Sequence, residues 1–526
     1  MNCKRYDNQT GMGRMKYPIG IQDFESLRRD GYVYVDKTRQ VYDLASTGRY
    51  YFLGRPRRFG KSLLISTMKA YFKGKRKLFE GLALEQLEKE WTEYPVLHLD
   101  LNSGKYDSVE ALVDELNKHL EKWEAIYGDK YKDRRPNERF YQVIELAYRK
   151  TGRHVAILID EYDKPLLQTF DKPKLQDELR AELKAFYSVL KTQDRYIRLA
   201  FLTGVTKFGK VSVFSDLNNL KDISMDKRYA DICGITEEEI HQYFESSIHE
   251  LAEANGMTYN KACDKLKDEY DGYHFRQGSH GIYNPFSLLN TFDMQEFKDY
   301  WFETGTPTFL LEALQKSDYD LSQLPTEKVK AYDLGNVNSF DDNPVPLLYQ
   351  SGYLTIKDYN SEFNTYHLGF PNKEVEKGFI EYLLPRYMPV REKKSEFDIE
   401  NFVAELRTGK ANDFMHRLQT FYEASNYKVA GKAELYFQNT MFIFFRLLGF
   451  YTEVEYPTAR GRADIVVKTR NYIYIIECKL DGSADEALRQ IDEKGYAKPF
   501  EGDPRKLFKI GVNFSSKQRS IAEWKI

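Results

Sequence analysis

The chain has 526 residues, too many for one hydrophobic core, and about three domains is the natural reading. Its 78 basic and 80 acidic residues leave a formal charge of −2, so any attraction to a polyanion must be local. Four scattered cysteines, Cys3, Cys233, Cys263 and Cys478, share no metal-ligand spacing, which argues against a disulfide framework or a zinc site and for a reducing compartment.

Residues 1–16 are polar, lack the apolar stretch of a signal peptide and are predicted to form a flexible tail. The most apolar run, Met441–Phe450, is short and holds Arg446, so no span and no membrane partner is expected, and the default compartment is the cytoplasm. The abundant Tyr and Phe read as packing.

From Tyr17 to about 235, short apolar runs alternate with helical stretches, the pattern of a parallel sheet with crossover helices. The runs are Tyr50–Leu53, Val96–Leu99, Val155–Ile159 and Ile197–Leu202. The first leads into Gly54-Arg55-Pro56-Arg57-Arg58-Phe59-Gly60-Lys61-Ser62 and then the helical Leu63–Phe72. A Gly-Lys-Ser turn between strand and helix suits a phosphate cradle: Gly60 lets the backbone approach, and N–H groups and the helix dipole face the anion. Lys61 would reach the β- and γ-phosphates of ATP, and Ser62 would offer its hydroxyl to Mg²⁺. Arg55, Arg58, Gly60, Lys61, Ser62 and Leu63 are the candidate phosphate-binding residues of this loop. The arginine cluster, with Arg57, either neutralises phosphate or meets a neighbouring subunit, so homo-oligomerisation stays open. Counting back from Gly60, the usual first glycine falls on Arg55, with Gly54 one residue early.

The run Val155–Ile159 ends in Asp160-Glu161, at the strand edge where such sheets bind ligands. Asp160 is placed to hold Mg²⁺ and Glu161 to polarise the attacking water. The run ending at Leu202 leads to Thr203 and Thr206, either of which could sense the γ-phosphate.

Residues 236–326 read as helical, opened by a Thr236–Glu239 capping box. Residues 327–388 read as short helices with strands at Gly352–Ile356 and Tyr366–Leu368. Together with Tyr34-Val35-Asp36-Lys37-Thr38, Asp160-Glu161-Tyr162-Asp163, Gly204–Lys207 and Asp271-Gly272-Tyr273, the loop at Arg55–Ser62 resembles the AAA-ATPase-like family of bacterial and archaeal proteins. That family lacks the same first glycine. The resemblance implies an AAA-type P-loop core over 17–235, a helical lid over 236–326 and a winged-helix-like unit over 327–388. Such a unit binds DNA or serves only for packing.

The last segment, 398–526, carries a helix at Leu435–Leu448, strands at Ala463–Val467, Tyr472–Cys478 and Phe508–Phe514, and a helix at about Ala484–Lys494. Asp464 lies on the first strand and Glu477 thirteen residues on; period two places Lys479 on the face of Glu477, with Cys478 turned away. Two converging carboxylates make an oxygen-rich Mg²⁺ site, and Lys479 would orient or deprotonate a water. A salt-bridged surface hairpin is the alternative account of this spacing. The helix–strand–strand–helix order, with Gly461-Arg462-Ala463-Asp464 and Glu477-Cys478-Lys479, resembles the PD-(D/E)XK nuclease superfamily, and so a restriction-endonuclease-like α/β domain. The resemblance implies Asp464, Glu477 and Lys479 as the catalytic set, Glu434 as a supporting acid, and Gln490 and Tyr496 as accessory residues. Residues 457–526 hold 14 Lys and Arg against 10 Asp and Glu, which suits a DNA partner.

The fold expectation is therefore an α/β P-loop core with helical and winged-helix-like additions, followed by a nuclease-like domain. The leading functional expectation is an ATPase whose nucleotide state gates a Mg²⁺-dependent DNA nuclease. The alternatives are a nucleotide switch whose nuclease fold only binds nucleic acid, and a plain nuclease with a structural ATP site.

Overall fold

The computed structural model describes residues 15–129, 132–207, 219–303, 308–334, 343–387, 399–424, 433–455 and 464–526. The chain divides into two compact units. The first comprises 1–304, 329–340 and 345–366; the second comprises 305–328, 341–344 and 367–526. This division crosses the expected boundaries at 326 and 388.

The first unit is built on five strands: β1 (Tyr50–Gly54), β2 (Val96–Asp100), β3 (Val155–Asp160), β4 (Ile197–Gly204) and β5 (Lys221–Asp222). They lie in the order β2-β3-β4-β1-β5, and every pairing is parallel. Helices cover both faces of a parallel sheet, so its central strands are apolar throughout. All six residues of β3 are buried, as are seven of eight in β4. Because β4 sits between β1 and β3, the loop after β1 and the acids after β3 flank the tip of β4. The two-residue edge strand β5 has no apolar run and was not predicted.

The helices start on recognisable caps. Ser108 accepts Ala111 N–H at the head of Val109–Tyr127. The predicted capping box forms, with Thr236 and Glu239 exchanging bonds at the start of Glu237–Ala254. That helix packs with Tyr259–Tyr270 and Pro285–Met294 around Phe244, Leu266 and Phe292. Met15 already packs against this cluster, and residues 1–14 lie outside the described ones. Strands β6 (Lys328–Lys330), β7 (Thr355–Asn360) and β8 (Thr365–Gly369) form a small sheet in the order β6-β8-β7.

The second unit holds a mixed sheet of β9 (Glu453–Glu455), β10 (Ile465–Lys468), β11 (Tyr472–Leu480), β12 (Lys506–Ser515) and β13 (Ser520–Lys525), ordered β13-β12-β11-β10-β9. Only β11 and β12 are parallel, and a parallel pair needs a crossover, here through the helix Ala484–Glu493. Ile473 and Ile475 pack with Ile491 and Leu488 of that helix. The opposite face carries Tyr474, whose hydroxyl donates to Leu406 O at 2.7 Å. Among the described residues, no helix is long and apolar enough to cross a membrane.

Candidate functional sites

Gly60, with φ 92°, turns the chain from the loop after β1 into the helix Lys61–Phe72. Few side chains tolerate that conformation, and glycine needs no Cβ there. Lys61 is 4% exposed, and its ammonium donates to Arg55 O at 3.0 Å and Pro56 O at 3.1 Å. Its third neighbour is the Glu161 carboxylate at 3.2 Å. Glu161 holds a left-handed φ of 54°, an uncommon conformation for a non-glycine residue. Burial works against its charge, but Lys61, joined by Arg57 and Lys164, outweighs it and keeps the carboxyl below its usual range.

Asp160, the last residue of β3, is buried, and burial raises its carboxyl despite bonds from Ser62 and Thr203. Thr203 Oγ1 donates to Asp160 Oδ1 at 2.5 Å. Thr206, the other candidate sensor, instead gives both its N–H and its hydroxyl to Asp163, at 2.6 and 2.7 Å. Asp163 also accepts Val205 N–H and so ties the loop after β4 to the loop after β3. Gly204 sits between them because a Cβ there would lie 2.6 Å from Asp163 Oδ1.

The loop arginines part company. Arg55 is 1% exposed and donates to the carbonyls of Gly54, Ser224, Tyr229 and Ala230. Its guanidinium also stacks 4.0 Å from the Phe275 ring centre. Its side chain is therefore a clasp within the unit and not the phosphate contact expected of it. Arg58 is exposed, left-handed at φ 67°, and lies 4.9 Å over Phe286. Phe59 packs edge-on against Tyr273 at 4.8 Å and Phe275 at 5.4 Å, which explains the Asp271-Gly272-Tyr273 motif as a buttress. Trp301 donates to Arg57 O at 3.2 Å, and Gly352 packs so closely on Pro56 that a Cβ would lie 2.7 Å away. Ser62 and Leu63 begin the helix, both half-buried.

In the second unit, Glu477 is buried and Lys479 partly so, both on the β11 face that the helix Ala484–Glu493 covers. Asp464 N–H donates to Glu477 Oε2 at 3.3 Å, and Cys478 N–H donates to Asp464 Oδ2 at 2.8 Å, so the two acids lock across the β10–β11 edge. Gln490 joins the set from the helix: its amide nitrogen donates to Glu477, its oxygen accepts Lys479, and it lies 3.4 Å from Tyr496 Oη. Lys479 Nζ is 3.5 Å from Glu477 Oε1. Burial and the charge of Asp464 push Glu477 up to about 7, and burial raises Asp464.

Sequence reasoning missed Gly511, which stands opposite Glu477 in the β11–β12 register. A Cβ on it would come 2.2 Å from Ala484 O, so only glycine lets the helix approach close enough to present Gln490. Glu434 begins the helix Ala433–Gly449, but its side chain lies outside the described residues, as do Gly461, Arg462 and Ala463.

Two carboxylates, one raised by burial and the other by burial and its neighbour's charge, are a donor set suited to a hard divalent cation. Such a cation takes one or two carboxylates and keeps several waters. That matters here because no group of three or more His, Cys, Asp or Glu side chains gathers among the described residues. Asp464 and Glu477 could hold such an ion, and Ser62 and Asp160 could do so beside Lys61.

The comparisons agree in the order of the two domains. Residues 18–214 match the family model described as a predicted AAA-ATPase, and residues 432–524 match the PD-(D/E)XK nuclease superfamily. The chain is also 36% identical over 532 residues to the "Uncharacterized protein in vnfD 5'region" of Azotobacter chroococcum mcd 1. That match spans 97% of this chain and 98% of the relative. The chain belongs to the AAA-ATPase-like family. In this AAA-ATPase-like protein the nuclease-superfamily domain follows the P-loop domain, and the relative extends through both.

Proposed function

We propose that the protein binds and hydrolyses ATP in its first unit and cleaves DNA with Mg²⁺ in its second, the first gating the second. The observation that carries the reading is the meeting of Lys61, Glu161, Asp160, Ser62 and Thr203 at one edge of the sheet. Lys61 exchanges Glu161 for phosphate oxygens when ATP enters. Glu161, released from that pair, orients the attacking water, while Thr203 reports on the γ-phosphate through Asp160. Ser62 and Asp160 would hold Mg²⁺, which neutralises phosphate charge when bound.

At the second site Asp464 and Glu477 would hold Mg²⁺, which supplies Lewis acidity toward a phosphodiester. Lys479, positioned by Gln490, holds a water against the scissile phosphate and takes up or returns its proton. Tyr496 steadies Gln490. Lys61→Ala is expected to reduce ATP turnover at least 100-fold, and unchanged turnover would reject the nucleotide assignment. Asp464→Ala is expected to remove Mg²⁺-dependent cleavage of labelled DNA, and persistent cleavage would locate the nuclease elsewhere.

A further inference from the structure

A recess of about 630 Å³ opens at the far end of the second unit's sheet, where β10 turns into β11. Its walls include Arg407, Tyr451, Glu453, Lys468, Arg470 and Asn471. Asp464 and Glu477 stand at the opposite ends of the same two strands. Along β11, six residues separate Asn471 from Glu477, roughly 20 Å at the rise of an extended strand. The recess is thus separate from the catalytic cluster.

Its chemistry is specific. Three of the six residues are cationic and one is acidic. The acid, Glu453, pairs with Lys468 at 3.0 Å, which leaves the charge of Arg407 and Arg470 uncompensated by it. Arg407 Nη2 donates to Tyr451 O at 2.8 Å, so the backbone of the aromatic residue is fixed to a cation. Tyr451 is nonetheless 41% exposed, one of the few large hydrophobic residues so exposed among the described ones. Arg470 is exposed and has no hydrogen-bond or ion-pair partner among the described residues. An uncovered ring beside two guanidinium groups, with the Asn471 amide near, combines base stacking, phosphate pairing and hydrogen bonding in one recess. Its volume falls within the range of small-molecule sites.

We propose that this recess seats one nucleotide unit of a single-stranded nucleic acid, stacking a base on Tyr451 and pairing its phosphate with Arg470 and Arg407. The inference rests on the reading of the second unit as one that handles nucleic acid. A strand anchored here lies roughly 20 Å from Asp464 and Glu477, so the recess would bear on which phosphodiester is presented.

The test is fluorescence anisotropy of a fluorescein-labelled 12-nucleotide DNA strand with the full-length protein in EDTA, where cleavage is silent. Tyr451→Ala is expected to weaken binding about tenfold, within the range for one base–aromatic stack. Arg470→Ala is expected to weaken it severalfold and to lower the salt slope by about 0.7, the loss of one phosphate contact on a single strand. Both side chains are exposed, and ATP turnover serves as the folding control. Thymidine monophosphate as competitor separates the two sources of the ligand. Displacement of the strand at micromolar concentration, lost in Tyr451→Ala, keeps the recess as the site and makes a free nucleotide its occupant. Wild-type protein that does not bind the strand, or variants that both bind within twofold of wild type, would overturn the inference. Because no metal is present, either result stands apart from success or failure of the Asp464→Ala cleavage test.

Discussion

The two sites solve the same problem, gathering charge at the edge of a sheet, in opposite ways. In the first unit the groups gather at strand tips and a helix start and neutralise one another: Lys61 is buried against two carbonyls and Glu161, and Glu161 is held ionised by it. In the second unit Asp464, just before β10, and Glu477, on β11, conflict, with one lysine nearby, and Glu477 rises to about 7. The first set, turned by left-handed residues at Arg58, Gly60 and Glu161, is paired within itself. The second set is left with unbalanced negative charge. Charge balance, more than geometry, distinguishes a site poised to exchange partners from one poised to capture an ion.

Substitutions can break this contrast. The largest effect is expected at Gly511→Ala, where the added Cβ meets Ala484 O and forces the helix off β12. Overpacking of this kind costs on the order of 3 kcal/mol, and cleavage should fall with it as Gln490 leaves Glu477; both are read by denaturant unfolding and a cleavage assay. Next come two neutralisations that should act with opposite sign on the ligand-free protein. Glu161→Gln leaves the buried Lys61 without its counter-charge and should destabilise the first unit by about 3 kcal/mol. Glu477→Gln relieves the conflict with Asp464 and should stabilise the second unit by about 1 kcal/mol in EDTA while cleavage is lost. Unfolding midpoints in EDTA that moved in the same direction for both would erase the proposed difference.

The smallest effect concerns the back of the first sheet. His98 on β2 is held neutral, lowered to about 4 by burial and by Lys69, His119 and Lys73. A base depressed on folding contributes stability above its unfolded value of about 6.5 that is lost as pH falls toward the folded value. Between pH 7 and 5.5 the loss should be about 1 kcal/mol. His98→Asn should flatten that slope in an unfolding titration, and an unchanged slope would remove His98 as its source.

The core strands were legible in sequence because parallel strands covered on both faces must be continuous apolar runs. β1 to β4 lie within two residues of the predicted runs, and β11 and β12 contain theirs. Of the edge strands β2 was legible, but β5 and β13 were not. β5 has two residues, and β13, Ser-Ile-Ala-Glu-Trp-Lys, has neither a continuous apolar run nor a strict alternation. Motif spacing singled out Lys61, Asp160, Glu161, Asp464, Glu477 and Lys479, and the resemblance added Gln490; the structure brings Lys61 to Glu161, and Gln490 to Glu477 and Lys479. Arg55 misled because its four carbonyls and Phe275 come from segments as much as 220 residues away, a fold-level fact that no local pattern carries. The choice between Thr203 and Thr206 depended on Asp163, whose three donors come from the loop after β4.

The coupling of the two units is tested most directly by one assay: Mg²⁺-dependent cleavage of labelled DNA with ATP, with a non-hydrolysable analogue, and with neither, in wild type and in Lys61→Ala. The account predicts that cleavage depends on nucleotide in the wild type and loses that dependence in Lys61→Ala. Equal cleavage under all three conditions in both proteins would contradict it.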